Sequence, residues 1–269
     1  MQLNEFFNYC WQEYLKKTPS AKQIFDELLG LGETVVNDHL ALRTFSHPGI
    51  SMRDLARYFE DQGMEVRGEY DFAEKKLKAL HLEHKENPDS PKVFISELII
   101  TDLSLEAQSL ISETLKELSE GKSLPELIQQ QRPWKVTHDT YKALLKESEY
   151  AAWLVAYGFF PNHFTVSINH LKQFPDIGPL NEWLLSHGHR MNQIGGVIKG
   201  DPASLLEQSS TIADLGLVSF SDGEFEVPTC YYEFAKRYKD DDGKLFQGFH
   251  AANADKIFES THTERHEDK

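Results

Sequence analysis

Between residues 3 and 17 the apolar side chains return at helical spacing: Phe6, Phe7, Cys10, Trp11, Tyr14 and Leu15 form one stripe, and Thr18-Pro19 ends it. Ser20 then opens a second helix, with Gln23 three residues later at the capping-box spacing and Gly30 and Gly32 closing it near Leu29. The pattern predicts an N-terminal helical pair over 1–32. From Asp38 the period changes to two. HLALRTF reads as a strand, SMRDLARYFEDQG as a helix, and MEVRGEYDF, KLKALHLEH and KVFISELII as strands, separated by turn residues such as Gly63, Asn87 and Pro88.

This β-α-β-β-β order over 35–101 is followed, over 102–160, by an insertion of about two to three helices. The same order then returns over 161–239: NHFTVSINHL as a strand, PDIGPLNEWLLSHG as a helix, then VIKG, LLEQSSTIA and TCYYEFAKRY as strands. Residues 240–269 remain for a closing helix and a polar tail ending in HTERH and three charged residues, a composition that favours disorder. The fold class is therefore α+β, with two βαβββ modules that repeat in element order but not in sequence.

Composition narrows the function classes. With 269 residues, 40% hydrophobic, the chain can bury a full core. No stretch approaches the ~20 apolar residues of a membrane helix, and the start MQLNEFFNYCWQEY lacks the zones of a signal peptide, so a cytoplasmic location is expected. A net charge of −15 disfavours nucleic acid and anionic membranes as partners. Cys10 and Cys230 are the only cysteines, too few for a Cys-rich metal site, so metal chemistry must use His and carboxylates. No P-loop, G-x-G-x-x-G after a strand or G-x-S-x-G elbow is present, which argues against nucleotide cofactors and a serine nucleophile. The same charge repels an acidic substrate, so a carboxylate site needs its own buried cation.

Alternation puts His39, Ala41 and Arg43 on one face of the first strand, His163, Thr165 and Ser167 on one face of the fifth, and Tyr231, Glu233 and Ala235 on one face of the last. Each of these strands thus carries a polar group where a core residue is expected. Two histidines and one carboxylate on one side of a ferrous ion leave adjacent positions open for substrate and dioxygen. Against this, a strand histidine is often a structural hydrogen-bonding residue, and Glu233 could pair with Lys236 or Arg237 at an exposed edge. His81 and His84 fall on opposite faces of one strand and His187 and His189 in a helix-ending loop, so neither pair presents two donors to one point.

The segments DHLALRTF, PKVFISEL, NHFTVS, LLEQSS and YYEFAKRY resemble the 2-oxoadipate dioxygenase/decarboxylase family, long catalogued as a domain of unknown function, and the doubled order resembles the vicinal oxygen chelate fold, over residues 35 to 260. The resemblance implies a curved mixed sheet around a metal site and iron held by His39, His163 and Glu233. It also implies a substrate carboxylate gripped by Arg43. GFHAANADKIFES is similar to the C-terminal segment of 4-hydroxyphenylpyruvate dioxygenase, where a helix closes the active site; Gly248, Phe249, Asn253, Phe258 and Glu259 fit that register, while His250 and Ala252 replace glycines. Two further departures stand out: better-known members of the decarboxylase family are much longer, and the Pro-Arg that follows the second histidine in many of them is missing. Glu97, in the last strand of the first module, stands where other enzymes of the fold place a fourth ligand; it is expected to pair instead with Arg43 or another internal cation.

The expectation is thus an Fe(II) dioxygenase that decarboxylates a small 2-oxo acid with O2 and hydroxylates the shortened product. Arg43 anchors a carboxylate, and Gln208 and Ser210, on one face of LLEQSS, give further substrate hydrogen bonds. The rival readings are a zinc hydrolase or lyase on the same three residues and a non-catalytic binding module.

Overall fold

The structure, a computed structural model, describes residues 1–119 and 121–261; the HTERH segment of the tail lies outside them. The N-terminal pair is α1 (Leu3–Lys17) and α2 (Pro19–Gly30). The second helix starts one residue earlier than its expected cap: Pro19 takes the first turn, where its missing N–H costs nothing, and the Ser20 amide donates to Asp214 Oδ2 (2.9 Å). The Ser20–Gln23 capping box therefore does not form, and Gln23 bonds Glu27 instead.

The first module is β1 (Asn37–Phe45), α3 (Met52–Glu60), β2 (Met64–Phe72), β3 (Leu77–His84) and β4 (Lys92–Leu98). Among its described residues the insertion holds four helices rather than two or three: α4 (Leu105–Leu115), α5 (Leu124–Gln130), α6 (His138–Leu145) and α7 (Glu149–Tyr157). The run HDTYKALLKESEYAAWLVAYG breaks because Ser148 caps a new helix, accepting from the Ala151 amide. The second module is β5 (Pro161–Ser167), α8 (Ile177–Ser186), β6 (Lys199–Asp201), β7 (Leu206–Ser210) and β10 (Tyr231–Arg237), with a separate hairpin β8 (Leu215–Phe220) and β9 (Gly223–Pro228) before its last strand. That hairpin was not expected, although Asp222-Gly223 between two alternating runs is a hairpin-turn signal. Helix α9 (Ala251–Phe258) follows. Among the described residues no helix is long and apolar enough to cross a membrane.

The modules form one curled eight-stranded sheet in the order β2-β3-β4-β1-β5-β10-β7-β6. Within each, the first strand pairs in parallel with the last, β1 with β4 and β5 with β10; between them, β1 and β5 meet antiparallel at the centre. One face carries Phe164 and Tyr232, against which Trp11 of α1 packs at ring distances of 5.0 and 5.9 Å. Alternation turns the neighbouring His163 and Glu233 to the other face.

Candidate metal centre

Sheet register explains why three distant residues meet. His39 on β1 stands opposite Thr165 on β5, and Thr165 stands opposite Glu233 on β10, so the three share one row and one face. His163 occupies the adjacent row, opposite Ala41 and Tyr231. On β1 that adjacent row holds only the small Ala41, which leaves room for the His163 ring. The result is a buried trio, His39, His163 and Glu233, whose donor atoms lie within 4.8 Å of one another, and among the described residues it is the one such cluster.

Each imidazole is fixed by a bond on its far side. Asp38 Oδ1 lies 2.8 Å from His39 Nδ1, and Asn162 Oδ1 lies 3.2 Å from His163 Nδ1. With these oxygens accepting, both Nε2 atoms turn to Glu233: His163 Nε2 is 3.2 Å from its Oε2 and His39 Nε2 is 3.6 Å from its Oε1. This network assigns the tautomers that leave Nε2 as the lone-pair nitrogen. Thr165 Oγ1, 3.0 Å from His39 Nε2, can donate to it.

Behind His39 stands a buried ion pair. Arg237 donates from Nε to Asp38 Oδ2 (2.7 Å) and from Nη2 to Oδ1 (2.9 Å), and from Nη1 to the Phe246 and Gly248 carbonyls. Burial opposes the Asp38 charge, but the charge and hydrogen bonds of Arg237, with His39 and Lys92, overcome it and hold the carboxyl well below the usual range. Arg237 is thus no exposed edge partner for Glu233: it locks β10 to β1.

The donors suit a divalent cation. Burial, aided by the fields of His39 and Arg43, pushes His163 well below the usual histidine range and keeps it neutral, the ligating form. Burial also raises Glu233, against the pull of His39 and the Gln208 amide, so its charge lacks full compensation among protein groups. A metal ion between the three would supply it.

The other candidate residues lie at different distances from this centre. Gln208 donates to Glu233 Oε1 (2.6 Å) and accepts from Asn253 of α9 (3.3 Å), and Ser210 Oγ is 2.8 Å from Ser260 Oγ. Arg43 is four residues beyond His39, roughly 13 Å along the strand, on the same face and buried. It does not pair with Glu97, which turns to the other face and caps α3 by accepting from the Met52 amide (2.9 Å). Instead Nη1 donates to Glu149 Oε1 (3.1 Å) on α7, and the guanidinium lies over the Tyr150 and Trp153 rings at 4.8 and 5.1 Å. Burial disfavours the guanidinium charge, but Glu149 and the tyrosines beside it more than offset this and raise its affinity for the proton.

The other histidines are engaged elsewhere: His81 with Tyr70 and Glu83, His84 with loop amides, His187 with the Trp183 carbonyl and His189 with Glu27. Phe249, just before α9, covers the centre, its ring centroid 4.8 Å from that of His39. Asp38, Arg237 and Tyr231 escaped the sequence reading as functional groups. The signal for the first was its place beside the candidate histidine, matched by Asn162 before His163.

The chain is similar to known proteins along most of its length. A family model described as 2-oxoadipate dioxygenase/decarboxylase matches residues 12–240. The Oryza sativa subsp. japonica protein named 2-oxoadipate dioxygenase/decarboxylase, chloroplastic/amyloplastic, is 35% identical over 274 residues, covering 92% of this chain and 75% of its own. Among solved structures, the Oryza sativa hydroxyglutarate synthase in complex with 2-oxoadipate is 32% identical with a TM-score of 0.86, covering 95% of this chain and 90% of its own. A Shewanella frigidimarina protein provisionally described as a hydrolase is 46% identical with a TM-score of 0.85, covering 93% of this chain and 98% of its own.

Proposed function

The chain belongs to the 2-oxoadipate dioxygenase/decarboxylase family and has the vicinal oxygen chelate fold, and from that premise we propose that it is an Fe(II) enzyme that oxidatively decarboxylates a small dicarboxylic 2-oxo acid with O2, giving a hydroxy acid. The observation that carries the reading is the buried His39, His163 and Glu233 trio, with both Nε2 atoms turned to one carboxylate. Ferrous iron held there by three protein donors would supply positions for a 2-oxo acid and dioxygen together.

The protein's own residues do the rest. Asp38 and Asn162 hold the two imidazoles, and Gln208 holds Glu233, so the donor set is organised before anything binds. Phe249, just ahead of α9, packs edge-on against the His39 ring and would keep water from that side. The distance of Arg43 along β1 suits the far carboxylate of an acid whose 2-oxo end lies at the metal, with its planar fork taking both oxygens. Gln208 and Ser210 complete the polar face, Gln208 acting through Glu233.

The test is metal analysis of protein purified without oxygen, followed by oxygen uptake with a series of 2-oxo acids. Near-stoichiometric iron and uptake coupled to carbon dioxide release are expected; bound zinc with no oxygen uptake would replace this reading with the hydrolase. In the same assay Arg43→Lys should keep the metal and lose on the order of tenfold to a few hundredfold in kcat/KM, the scale of a charge-assisted hydrogen bond.

A further inference from the structure

A cavity of about 970 Å³ opens on the Glu149 side of Arg43, and its lining includes none of the three donors. Its walls come from α6, α7, the loop around His189 and Arg190 and the β8–β9 region, and they carry both signs of charge: Lys142, which pairs with Asp139 (2.7 Å), and Arg190, together with Glu149, Asp214 and Glu226. Towards the sheet it reaches Glu149, Trp153 and Thr261, the residues that surround Arg43. Arg43 itself is not in the lining.

Two polar groups behind Glu149 lack partners. Arg43 Nε and the Tyr231 hydroxyl are both buried without a hydrogen bond. The Tyr231 ring stacks on His163 with centroids 4.6 Å apart, and its hydroxyl feels the charges of Arg43, Glu233 and Glu149. Unsatisfied buried donors cost free energy, and a guanidinium with one N–H unused, in the field of an unpartnered hydroxyl, is a form of anion pocket. Glu149 satisfies one edge of that pocket only. Its own position is set by α7, whose Tyr150 hydroxyl donates to the Ser96 carbonyl (2.6 Å) and accepts from the Thr44 amide (3.1 Å).

We propose that Arg43 and Tyr231 form the subsite for the far carboxylate of the substrate, that Glu149 occupies it when no substrate is bound, and that a dicarboxylic acid arriving through the cavity displaces Glu149. The inference rests on the function proposed above and adds the resident carboxylate, the second donor and the route. It makes Glu149 a specificity-determining residue: only a ligand whose far end carries a charge can offer Arg43 what Glu149 already gives.

Binding is measured by calorimetry on the metal-loaded protein without oxygen, with 2-oxoadipate and with 2-oxohexanoate, which has the same chain length but no far carboxylate. Glu149→Gln removes the competing charge and should tighten 2-oxoadipate by about three- to thirtyfold while leaving 2-oxohexanoate within about twofold. Tyr231→Phe should weaken 2-oxoadipate alone, by about three- to tenfold. Equal changes for the two acids in Glu149→Gln, or none, would overturn the inference; should that variant fail to fold, an unaltered ratio of the two affinities in Tyr231→Phe does the same. A parent protein that binds neither acid overturns the proposed function along with it, whereas a parent that binds 2-oxoadipate with variants of unaltered preference overturns this inference alone.

Discussion

In the second module the parallel pair β5 and β10 carries two donors, while the corresponding pair in the first module, β1 and β4, carries one. His163 stands opposite Tyr231, with Glu233 two residues further along β10; His39 stands opposite Lys92, and the residue two further along β4 is Phe94. The position that holds a carboxylate in one module holds a phenyl ring in the other, packed 5.3 Å from Phe249. The shells behind the histidines differ in the same way, since His39 leans on an ionised aspartate tied to Arg237 and His163 on a neutral asparagine. One module supplies the charge at the candidate metal site, and the other supplies it one layer behind. The comparison teaches that a repeated fold need not repeat its chemistry: a three-donor site with open positions arises when one half of a symmetric pair gives up its carboxylate.

The largest effects should come from undoing that asymmetry. Glu233→Ala should drop bound metal from near one per chain towards zero and abolish turnover, whereas Phe94→Glu places a carboxylate in the first module, where it should retain metal but close a coordination position and cost at least about tenfold in kcat. Metal content and turnover measured together check both; a Phe94→Glu enzyme as active as the parent would break the equivalence. Next in size is the pair of supporting residues. Asp38→Asn should weaken metal binding by roughly 10- to 100-fold and destabilise the fold by about 3–5 kcal/mol, because Arg237 is left buried without its partner. Asn162→Ala, the matching change in the second module, should cost only about 1 kcal/mol. Urea unfolding and metal titration of both variants decide whether the two supports differ as described.

The smallest expected effect concerns the first module's other buried histidine. Burial lowers the affinity of His81 for a proton, more than the neighbouring Glu83 restores it. The unfolded chain then protonates first as pH falls, so stability declines once pH drops below the ordinary histidine range of about 6.5. In His81→Gln that component of the decline between about pH 7.5 and about pH 5.5 should vanish. An unchanged pH dependence in the variant would show that the ring stays hydrated.

Much of this was written in the alternation of the chain. The faces of HLALRTF, NHFTVS and YYEFAKRY bring His39, His163 and Glu233 to one side because period-two patterning survives in fully buried strands as a polar residue among apolar ones. What alternation cannot convey is which strands become neighbours. The Asp38–Arg237 pair joins residues 199 apart and Arg43–Glu149 residues 106 apart, so Arg237 read as an edge residue and Glu97 as the partner of Arg43. The β8–β9 hairpin was legible in principle from Asp222-Gly223, but its Leu215 and Leu217 face solvent and so blur the usual burial pattern.

The antiparallel seam between β1 and β5 has one more consequence. His39 and Thr165 bond across it although 126 residues separate them in sequence, and neither side of the seam alone offers enough donors to retain a transition metal. The two half-sites therefore behave as a tethered bivalent receptor, with the seam setting the effective concentration of one half in the presence of the other. Any change that loosens β1 from β5, including one in the remote four-helix insertion between them, dilutes one half-site relative to the other. It should register as weaker metal affinity in a protein whose three donors are all intact.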